Sequence, residues 1–268
     1  MNHPFHNKVA IITGSGSGIG KATAFLFCKN GIKVMLNGRD ENKIKRVANE
    51  LISYGYDVSF FTGDVTDYET CKEMVTHTIK TFGKINVLVA NGSISMNGRF
   101  DEMKPELFKK VLDSNIFGAV MPLFATLDFL KRTKGSVVFI GSLAGVYGMP
   151  TASAYSAGKM ALTALQQSLR AELHSSGVHV GILYVGFTEN DNDKKLMSPS
   201  GIWKPVPKRP HLLVQTQDKV ASSVLVMVKR RLNKKTLSIN GKCISFLSRI
   251  APEIIGLLTI VSQKRNME

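Results

Sequence analysis

The sequence predicts an α/β protein built on one doubly wound sheet of about seven parallel strands, with helices on both faces. Short apolar runs alternate with amphipathic helical patterns along most of the chain, which is typical of βαβ units and a parallel sheet. A glycine-rich turn joins the first apolar run to the first helical pattern. Neither a linker nor an internal repeat divides the 268 residues, so we expect a single domain over residues 1–268.

The first half of the chain supplies four of the predicted strands. Continuous short apolar runs indicate buried parallel strands, and they cover residues 8–13, 33–36, 58–62 and 85–90. The helical patterns between them cover residues 21–30, 41–53 and 66–82. Thr66 and Glu69 have the spacing of a capping box at the start of the third helix. Gly31 and Gly83 follow two of the helices, where glycine commonly ends a helix.

The second half continues the alternation. Helical patterns occupy residues 106–113, 116–132, 155–175 and 218–231, and strand patterns occupy residues 136–140, 178–185 and 236–239. Pro122 predicts a kink or an early start in its helix. Residues 187–214 break the rhythm, and a loop of that length in a compact domain is usually a functional lid or mobile. The chain closes on an apolar helical tail, 243–263, which Pro252 interrupts.

The charge of the chain is uneven. The net charge is +15, and residues 188–268 alone carry 15 Lys and Arg against 6 acids. Such an excess fits chains that bind nucleic acid, membrane surfaces or anionic ligands. Because the chain has no nucleic-acid motif and no basic run interleaved with aromatic residues, we expect no nucleic-acid partner. A solvated basic face is the alternative.

The sequence also predicts a location. The N-terminal residues have no apolar signal region, and no apolar run approaches the roughly 18 residues that a membrane span needs. Cys28, Cys71 and Cys243 lie far apart and lack metal-ligand spacing to histidines. We therefore expect three buried thiols in a reducing compartment and no metal site. These features predict a cytoplasmic chain.

Tyr155 and Lys159 stand four residues apart at the start of a helical pattern, so both side chains lie on one helix face. A phenol titrates near pH ~10, and an adjacent ammonium stabilises the phenolate and lowers its pKa. Such a phenol exchanges a proton with a substrate oxygen near neutral pH. Ser142 follows the apolar strand and can hydrogen-bond the same oxygen. The alternative is an ordinary surface Tyr and Lys, since this spacing is common by chance.

The glycine-rich turn, Gly14-Ser-Gly-Ser-Gly18-Ile-Gly20, lies between the first strand and the first helix. Free backbone N–H groups and the positive end of the helix dipole at this position suit a pyrophosphate. Glycine permits the close approach of a phosphate to the backbone. The ligand then lies at the carboxyl ends of the strands, where Ser142 also lies. A plain structural turn is the alternative.

In this order and spacing, the motifs resemble those of the short-chain dehydrogenase/reductase family, which has a Rossmann-type fold. The resemblance runs nearly end to end. Residues 13–20, TGSGSGIG, are similar to the TGxxxGxG cofactor loop of that family, and Asp64-Val65 resembles its adenine-contacting pair. By this resemblance the catalytic residues are Asn115, Ser142, Tyr155 and Lys159.

The chain departs from the family pattern at two turns. Residues 90–93, ANGS, replace Asn-Asn-Ala-Gly after the fourth strand, and Asn91 keeps one polar position. Residues 185–186, VG, replace Pro-Gly after the sixth strand, with Asn190 near the usual threonine position and Thr188 close by. The resemblance implies that the cofactor-binding residues are Gly14, Ser15, Ser17, Gly18, Ile19, Gly20, Arg39, Asp64, Val65, Asn91, Tyr155, Lys159, Gly186 and Thr188.

The end of the second strand bears on cofactor choice. Enzymes that prefer NAD usually place an acid there, which accepts a hydrogen bond from the ribose 2′-OH. This chain has Gly38 followed by Arg39, and a guanidinium suits a 2′-phosphate. The sequence therefore favours NADP over NAD. In the competing interpretation, Arg39 is a solvated loop residue and Asp40 caps the next helix. Ser17 also counts against NADP, because many NADP enzymes of the family have a second basic residue at that position.

The resemblance implies hydride transfer between a nicotinamide and a carbonyl or alcohol carbon, with ketone reduction by NADPH as the expected direction. It implies that Tyr155 gives or takes the proton and that Ser142 polarises the substrate oxygen. Lys159 would tune Tyr155 and bind the nicotinamide ribose, and Asn115 would position a relay to Lys159. Two alternatives stay open: an NAD-dependent alcohol dehydrogenase, and a regulator that binds NADP without turnover.

The substrate pocket is expected to be mostly apolar, with adaptable methionines. Its expected residues are Ile94, Met96, Phe100, Leu143, Val146, Tyr147, Met149, Phe187, Met197 and Trp203. We therefore expect a hydrophobic ketone of lipid, sterol or keto-acyl type. The alternative is that several of these residues belong to the ordinary core.

Two further segments point to partners. The patterns at 116–132 and 155–175 are apolar on more than one face, and many family members pair through these helices, so we expect a homodimer or homotetramer. The basic and apolar extension 229–268 is too interrupted to span a bilayer. It is expected to contact a membrane surface or cap a lipophilic pocket. Alternatively, it packs on the domain or on a neighbouring subunit.

Overall fold

The computed structural model describes residues 5–192, 194–207 and 214–265, with the side chains of 239–240 and 262–265 left aside. Its strands are β1 (Val9–Ile12), β2 (Lys33–Gly38), β3 (Val58–Thr62), β4 (Val87–Ala90), β5 (Ser136–Ser142), β6 (His179–Val185), β7 (Lys195–Met197), β8 (Trp203–Pro205) and β9 (Lys234–Thr236). Seven of them form one parallel sheet in the order β3-β2-β1-β4-β5-β6-β9. The predicted fold class is confirmed.

Helices cover both faces of this sheet. They are α1 (Gly18–Lys29), α2 (Glu41–Ser53), α3 (Tyr68–Phe82), α4 (Pro105–Thr133), α5 (Ser153–Glu172), α6 (Gln217–Arg230), α7 (Ile239–Ile250) and α8 (Pro252–Arg265). Helices α1, α2 and α6 share one apolar core with the sheet, and α3, α4 and α5 share the other. The strands between two such layers are buried on both sides, which explains their continuous apolar runs.

The order of the strands reverses at β1, which pairs with β2 on one side and β4 on the other. Ile12 lies beside Leu36 in one ladder and beside Val89 in the other. The chain segments that leave β1 and β4 therefore pass to opposite faces, and a crevice opens at the carboxyl ends of these strands. In open α/β sheets, ligands bind at such a point.

Helix α4 corrects the sequence prediction. It runs unbroken from Pro105 to Thr133, so the gap expected between residues 113 and 116 is wrong. Pro122 lies inside the helix, where it removes one backbone hydrogen bond. Packing of α4 against α3 and α5 stabilises the helix where its local sequence pattern is interrupted. The kink expected at Pro122 stays a prediction.

Two element starts also differ from prediction. Helix α3 begins after Asp67, whose carboxylate accepts the Thr70 N–H at 2.7 Å, so the expected capping box at Thr66 is wrong. Thr66 instead donates its hydroxyl to Asp64. The last strand of the sheet ends at Thr236, because Ser238 accepts the Gly241 N–H and begins α7.

The segment after β6, expected to be a loop, contains the antiparallel hairpin of β7 and β8. Met197 in β7 also forms a bridge to Met96, which holds the hairpin beside the carboxyl ends of the strands. Pro210 and the rest of 208–213 lie outside the described residues.

The C-terminal helices are exposed. Ile255 is buried, whereas Ile254, Leu257, Leu258 and Ile260 are exposed, so the expectation that these residues pack on the domain holds only for Ile255. Within the described ranges, no helix is both long enough and apolar enough to cross a bilayer.

Two of the three cysteines are buried. Cys28 and Cys71 are buried, and burial raises the pKa of each thiol to about 12. Cys243 on α7 is exposed, so the prediction of three buried thiols is wrong there. Among the described residues, no three His, Cys, Asp or Glu side chains are grouped as metal ligands would be.

Candidate active site

The glycine-rich turn has the backbone that only glycine adopts easily. Gly14 and Gly18 have φ of +62° and +55°, in the left-handed region. A Cβ on Gly20 would lie 2.4 Å from the Gly14 carbonyl oxygen, so the start of α1 packs directly against the turn. A Cβ on Gly18 would meet nothing within 4 Å. This side of the turn is therefore open to a ligand.

Asn91 and Thr13 anchor the turn to the sheet. The Asn91 side-chain amide donates to the carbonyls of Thr13 and Gly14, both at 3.0 Å. The backbone N–H groups of Asn91 and Gly92 donate to the Thr13 hydroxyl. The unusual ANGS sequence therefore keeps the turn in place through the one asparagine it retains.

A carboxylate lies at the N-terminus of α1. Within the described chain, the hydroxyl of the N-cap residue Ser17 makes no capping hydrogen bond. The Gly18 N–H instead donates to Oδ2 of Asp191 at 2.7 Å. Gln217, at the start of α6, donates to the other oxygen of the same carboxylate at 2.8 Å. No local sequence pattern predicts this contact, because 173 residues separate Gly18 from Asp191.

A cavity of about 470 Å³ runs along the carboxyl edge of the sheet. The glycine-rich turn, the ends of the central strands and part of the segment after β6 form its wall. The predicted site residues on this wall are Gly14, Ser17, Gly18, Ile19, Arg39, Asp64, Val65, Asn91 and Lys159. The tertiary structure therefore brings the separate motifs of the sequence to one cavity.

Other predicted cofactor residues lie outside that wall, as far as the described residues define it. Ser15 is buried, and its hydroxyl accepts the Asn37 N–H at 2.9 Å, which ties the turn to β2. Gly20 packs under Gly14. Gly186 and Thr188 follow β6, and Thr188 forms a bridge with Gln215. Tyr155 is the fifth predicted cofactor residue that is absent from the described wall.

One end of the cavity is lined by two basic residues. Arg39 lies 3.7 Å from Asp64, with both side chains about half exposed. Asp40 caps α2 by accepting the Lys43 N–H at 3.0 Å. The competing interpretation is therefore correct for Asp40, while Arg39 lines the cavity. Lys43 also lines the cavity. A lysine in the first turn of a helix opposes the helix dipole, and that signal could have identified it.

Lys159 is a buried cation at the other end. Its side chain is 3% exposed, and Nζ donates to the Ile140 carbonyl at 3.0 Å. Nζ also lies 5.6 Å from the centre of the Tyr155 ring. Burial, followed by the charge of Lys194, lowers the pKa of Lys159 to about 8. An ammonium held in this way stabilises negative charge on a neighbouring oxygen.

Asn115 lies behind this pair on α4. Its amide donates to the carbonyls of Ile94 and Val111 at 2.9 and 2.8 Å, while its buried Oδ1 has no partner in the part of the chain that the structure describes. A Cβ on Gly158 would lie 2.6 Å from the Asn115 Cβ. Gly158 therefore lets α5 approach α4 and places Asn115 beside the turn that carries Lys159.

Ser142 and Tyr155 lie at the ends of neighbouring elements. Ser142 ends β5 and accepts the Ala144 N–H at 3.2 Å. Tyr155 lies in the first turn of α5 and is partly buried against a small apolar cluster. The predicted catalytic residues therefore come from β5, α4 and α5, and of the four only Lys159 is on the cavity wall as the described residues define it.

The expected pocket residues divide into core and surface. Ile94, Met96 and Met197 are buried in the cluster beside Tyr155. Ile94 and Trp203 line the cavity. Phe100 is largely exposed. The alternative that several of these residues are ordinary core is therefore correct for part of the set.

Lys194 and Lys195 are further wall residues that the sequence analysis did not name. They reach the cavity because the β7–β8 hairpin folds over the edge of the sheet. The sequence signal for them was two adjacent lysines directly before an apolar pair. That signal does not place them near the glycine-rich turn, because their position depends on the hairpin.

The cavity suits a dinucleotide. The open side of Gly18, the N–H groups at the start of α1 and the cations at both ends match a ligand with a central pyrophosphate. The buried Asn115 Oδ1, which has no partner among the described residues, adds a polar acceptor. Together with the Tyr–Lys pair, these features fit a dinucleotide-binding oxidoreductase of the doubly wound class.

The chain belongs to the short-chain dehydrogenase/reductase family of oxidoreductases. The family model for short chain dehydrogenases matches residues 8–200. The chain is 31% identical over 278 residues to the 11-beta-hydroxysteroid dehydrogenase-like protein 4A of Arabidopsis thaliana, covering 97% of this chain and 85% of the plant protein. It is 34% identical over 188 residues to an oxidoreductase of Thermotoga maritima, covering 70% and 74% of the two chains.

Solved structures share the fold. A short-chain dehydrogenase/reductase from Burkholderia phymatum in complex with NAD superposes with a TM-score of 0.81 at 22% identity, covering 95% of this chain and 96% of that one. An alcohol dehydrogenase from Thermococcus sibiricus, complexed with 5-hydroxy-NADP, has a TM-score of 0.75 at 27% identity and covers 86% and 95%. A 3-ketoacyl-ACP reductase from Sinorhizobium meliloti has a TM-score of 0.74 at 29% identity, with 85% and 95% covered.

Proposed function

We propose that this protein is an NADP(H)-dependent oxidoreductase that interconverts a hydrophobic ketone and a secondary alcohol, with reduction as the cellular direction. One observation carries the proposal. The buried ammonium of Lys159 lies next to the Tyr155 ring, at the end of a cavity that also contains the glycine-rich turn. A buried cation is costly, and this chemistry gives it a use.

In this proposal the residues of the chain handle the proton and the substrate oxygen. Tyr155 donates the proton to the oxygen of the ketone, because the Lys159 ammonium stabilises the phenolate that is left. Ser142 donates a hydrogen bond to the same oxygen. Asn115, whose amide is fixed by the Ile94 carbonyl, positions its buried Oδ1 for a relay to Lys159. The bound nicotinamide supplies or accepts the hydride.

NADP is proposed over NAD because of the charges at the other end of the cavity. Arg39 and Lys43 line the wall beside Gly38, where an enzyme that prefers NAD would place an acid. A guanidinium and an ammonium suit a 2′-phosphate. The carboxylate of Asp40 is engaged by the start of α2, so it is less free to accept from a ribose hydroxyl.

A hydrophobic ketone is proposed from the surroundings of Tyr155. The cluster that touches its ring consists of Ile94, Met96, Val111, Ala154 and Met197, with Met103, Leu107 and Phe108 packed against it. Most of this cluster is core, but Ile94 also lines the cavity together with Trp203, and an apolar lining favours an apolar substrate. The name of the Arabidopsis relative refers to a hydroxysteroid and that of the Sinorhizobium structure to a 3-ketoacyl group, and both names fit this substrate class.

A panel of steroid, keto-acyl and small polar ketones, assayed with NADPH and with NADH, tests the proposal. We expect turnover of at least one hydrophobic ketone, with NADPH preferred. Turnover with NADH alone would instead make the protein an NAD-dependent dehydrogenase. Tight NADPH binding without turnover on the whole panel would favour a regulatory protein of the same fold.

We also propose that the protein forms a homodimer or homotetramer through α4 and α5. Phe117, Phe124 and Met160 on these helices are exposed, and large apolar side chains of this kind are frequent in subunit interfaces. Analytical ultracentrifugation at micromolar concentration tests this proposal, and a monomer there would contradict it.

A third proposal concerns α7 and α8, which we place at an anionic membrane surface of the cytoplasm. Exposed apolar side chains lie on both helices, with Phe246 and Ile250 on α7 and most of them on α8: Ile254, Leu257, Leu258, Ile260 and Val261. A helix that is apolar on all sides calls for an apolar environment. Residues 229–265 contain nine Lys and Arg and one acid.

The charge pattern favours lipid over a second copy of the chain. Burial, followed by the charges of Arg230 and Lys242, lowers the pKa of Lys235, so these cations lie close together beside α7. A twofold contact between two copies would bring two such surfaces face to face. An anionic membrane instead attracts them, at about 1 kcal/mol for each Lys or Arg near the surface.

A further inference from the structure

We infer that Asp191 sets the affinity for the dinucleotide, because its carboxylate and the cofactor pyrophosphate compete for the N-terminus of α1. The inference rests on the proposed dinucleotide site. It adds an internal anion that the cofactor has to displace, and it couples cofactor binding to the segment that follows β6.

The geometry at α1 carries the inference. Oδ2 of Asp191 accepts the Gly18 N–H at 2.7 Å, and Gly18 is the residue whose Cβ position faces open space in the cavity. The first N–H groups of a helix, with the positive end of its dipole, are the usual binding place of a pyrophosphate. A phosphate at this turn therefore meets a carboxylate on the same N–H.

Asp191 is held in this position from a second side. Gln217 donates its side-chain amide to Oδ1 of Asp191 at 2.8 Å, and its backbone N–H donates to Oε1 of Glu189 at 2.8 Å. The first residue of α6 therefore orients the carboxylate towards α1. Asp191 also belongs to the same segment as Lys194 and Lys195, which line the cavity.

The comparison with Glu189 isolates the effect. Glu189 is an acid two residues away and contacts the same glutamine, but among the described residues its hydrogen bonds lead to Gln215 and Gln217 and not to α1. Both acids contribute equally to the net charge of the segment. Of these two acids, Asp191 is the one on the Gly18 N–H, so its charge opposes a pyrophosphate there at short range.

The test compares Asp191→Asn with Glu189→Gln in the full-length protein. Equilibrium binding of NADPH is followed by its fluorescence, and binding of ADP and adenosine by calorimetry. We expect Asp191→Asn to bind NADPH and ADP roughly three- to tenfold more tightly, since it removes a charge at a helix N-terminus that competes with phosphate. Adenosine, which has no phosphate, should bind equally to all forms, and Glu189→Gln should bind NADPH within twofold of the wild type.

A purely structural cap gives a different result. If Asp191 only stabilises α1, Asp191→Asn lowers the melting temperature and leaves NADPH affinity unchanged or weaker, and either affinity result overturns the inference. An equal gain in Glu189→Gln also overturns it, because a general charge effect then suffices. If neither the wild type nor Asp191→Asn binds NADPH or NADH, the proposed function itself fails, and the inference with it.

Discussion

The carboxyl edge of the sheet and the C-terminal helix pair depart in opposite ways from the usual distribution of residues in a folded protein. At the edge, polar groups are buried: Lys159 is 3% exposed and Asn115 is 1% exposed. In α8, apolar groups are exposed: Leu257 is 65% exposed and Leu258 is 60% exposed. Each arrangement costs free energy in the isolated chain.

The difference shows what each region is built to contact. A buried ammonium and an unpartnered amide oxygen are stabilised when a polar ligand completes their surroundings. Exposed leucines and isoleucines are stabilised when an apolar surface covers them. The edge of the sheet thus suits a small polar cofactor, and in our proposal α7 and α8 meet an extended apolar surface with negative charge.

The largest expected effect is that of Tyr155→Phe at the edge of the sheet. The variant keeps the ring and its packing but has no proton to give, so we expect turnover to fall by about 10²–10⁴-fold. NADPH affinity, measured by fluorescence titration, should stay within a few-fold of wild type. Steady-state assays on the best ketone of the panel measure the loss. More than a tenth of wild-type turnover would remove Tyr155 as the proton donor.

The second effect concerns the stability cost of Lys159. Its pKa is lowered from 10.5 to about 8 by burial, so the unfolded chain binds more protons between these two pH values. The free energy of unfolding therefore rises as the pH is raised from 8 to 10.5, and below pH 8 the buried charge costs up to about 3 kcal/mol.

Lys159→Met tests this cost. It should raise the free energy of unfolding at pH 7 by ~1–3 kcal/mol, a gain from which the lost hydrogen bond to the Ile140 carbonyl has to be subtracted. It should also reduce the increase of the free energy of unfolding above pH 8. Urea denaturation at pH 7 and pH 10 measures both, and Lys45→Met on the exposed side of α2 serves as the control. A variant less stable than wild type at pH 7 would show that the buried ammonium stabilises the fold.

Arg39→Ala should have the next effect, on cofactor choice. A hydrogen bond to a charged group contributes about 1.5–3 kcal/mol, so NADPH affinity should fall roughly ten- to a hundredfold while NADH affinity changes little. Arg46→Ala is the matched control, since Arg46 lies exposed on α2 and bonds to the Asn42 carbonyl. An unchanged NADPH/NADH ratio in fluorescence titrations would make Arg39 a simple surface residue.

The smallest expected effect lies in α8, where binding to vesicles is measured. The wild type should co-sediment at low salt with vesicles of phosphatidylglycerol and phosphatidylcholine, and not with phosphatidylcholine alone. Leu257→Ser with Leu258→Ser should weaken this binding about tenfold, because part of their apolar area no longer leaves water. Turnover of a water-soluble ketone should be unchanged.

Ile52→Ser provides the control for α8, because Ile52 is also half exposed but lies on α2. It should bind vesicles like the wild type. If the wild type stays in the supernatant with anionic vesicles at low salt, the proposed membrane contact of α7 and α8 is wrong. A protein partner then becomes the better interpretation of their exposed surface.

Much of the edge was predictable from local sequence. Gly14 and Gly18 were identifiable because the positive φ of a tight turn favours glycine, and the Tyr155–Lys159 spacing places both side chains on one face of any helix. The alternating apolar runs predicted the parallel sheet, since strands buried on both faces lack polar positions. Element ends were less accurate, as at Asp67 and Thr236, because a neighbouring capping residue decides them.

By itself, the sequence determined the parallel sheet, the glycine-rich turn and the Tyr155–Lys159 pair, because these depend on backbone sterics and helix or strand periodicity. Only the tertiary structure decided that Asp191 lies on the Gly18 N–H, that Lys194 approaches Lys159, and that Leu257 and Leu258 face outward. These features join residues far apart in the chain or depend on which side of a uniformly apolar helix meets the core. Such choices follow from the packing of whole elements, which no local pattern encodes.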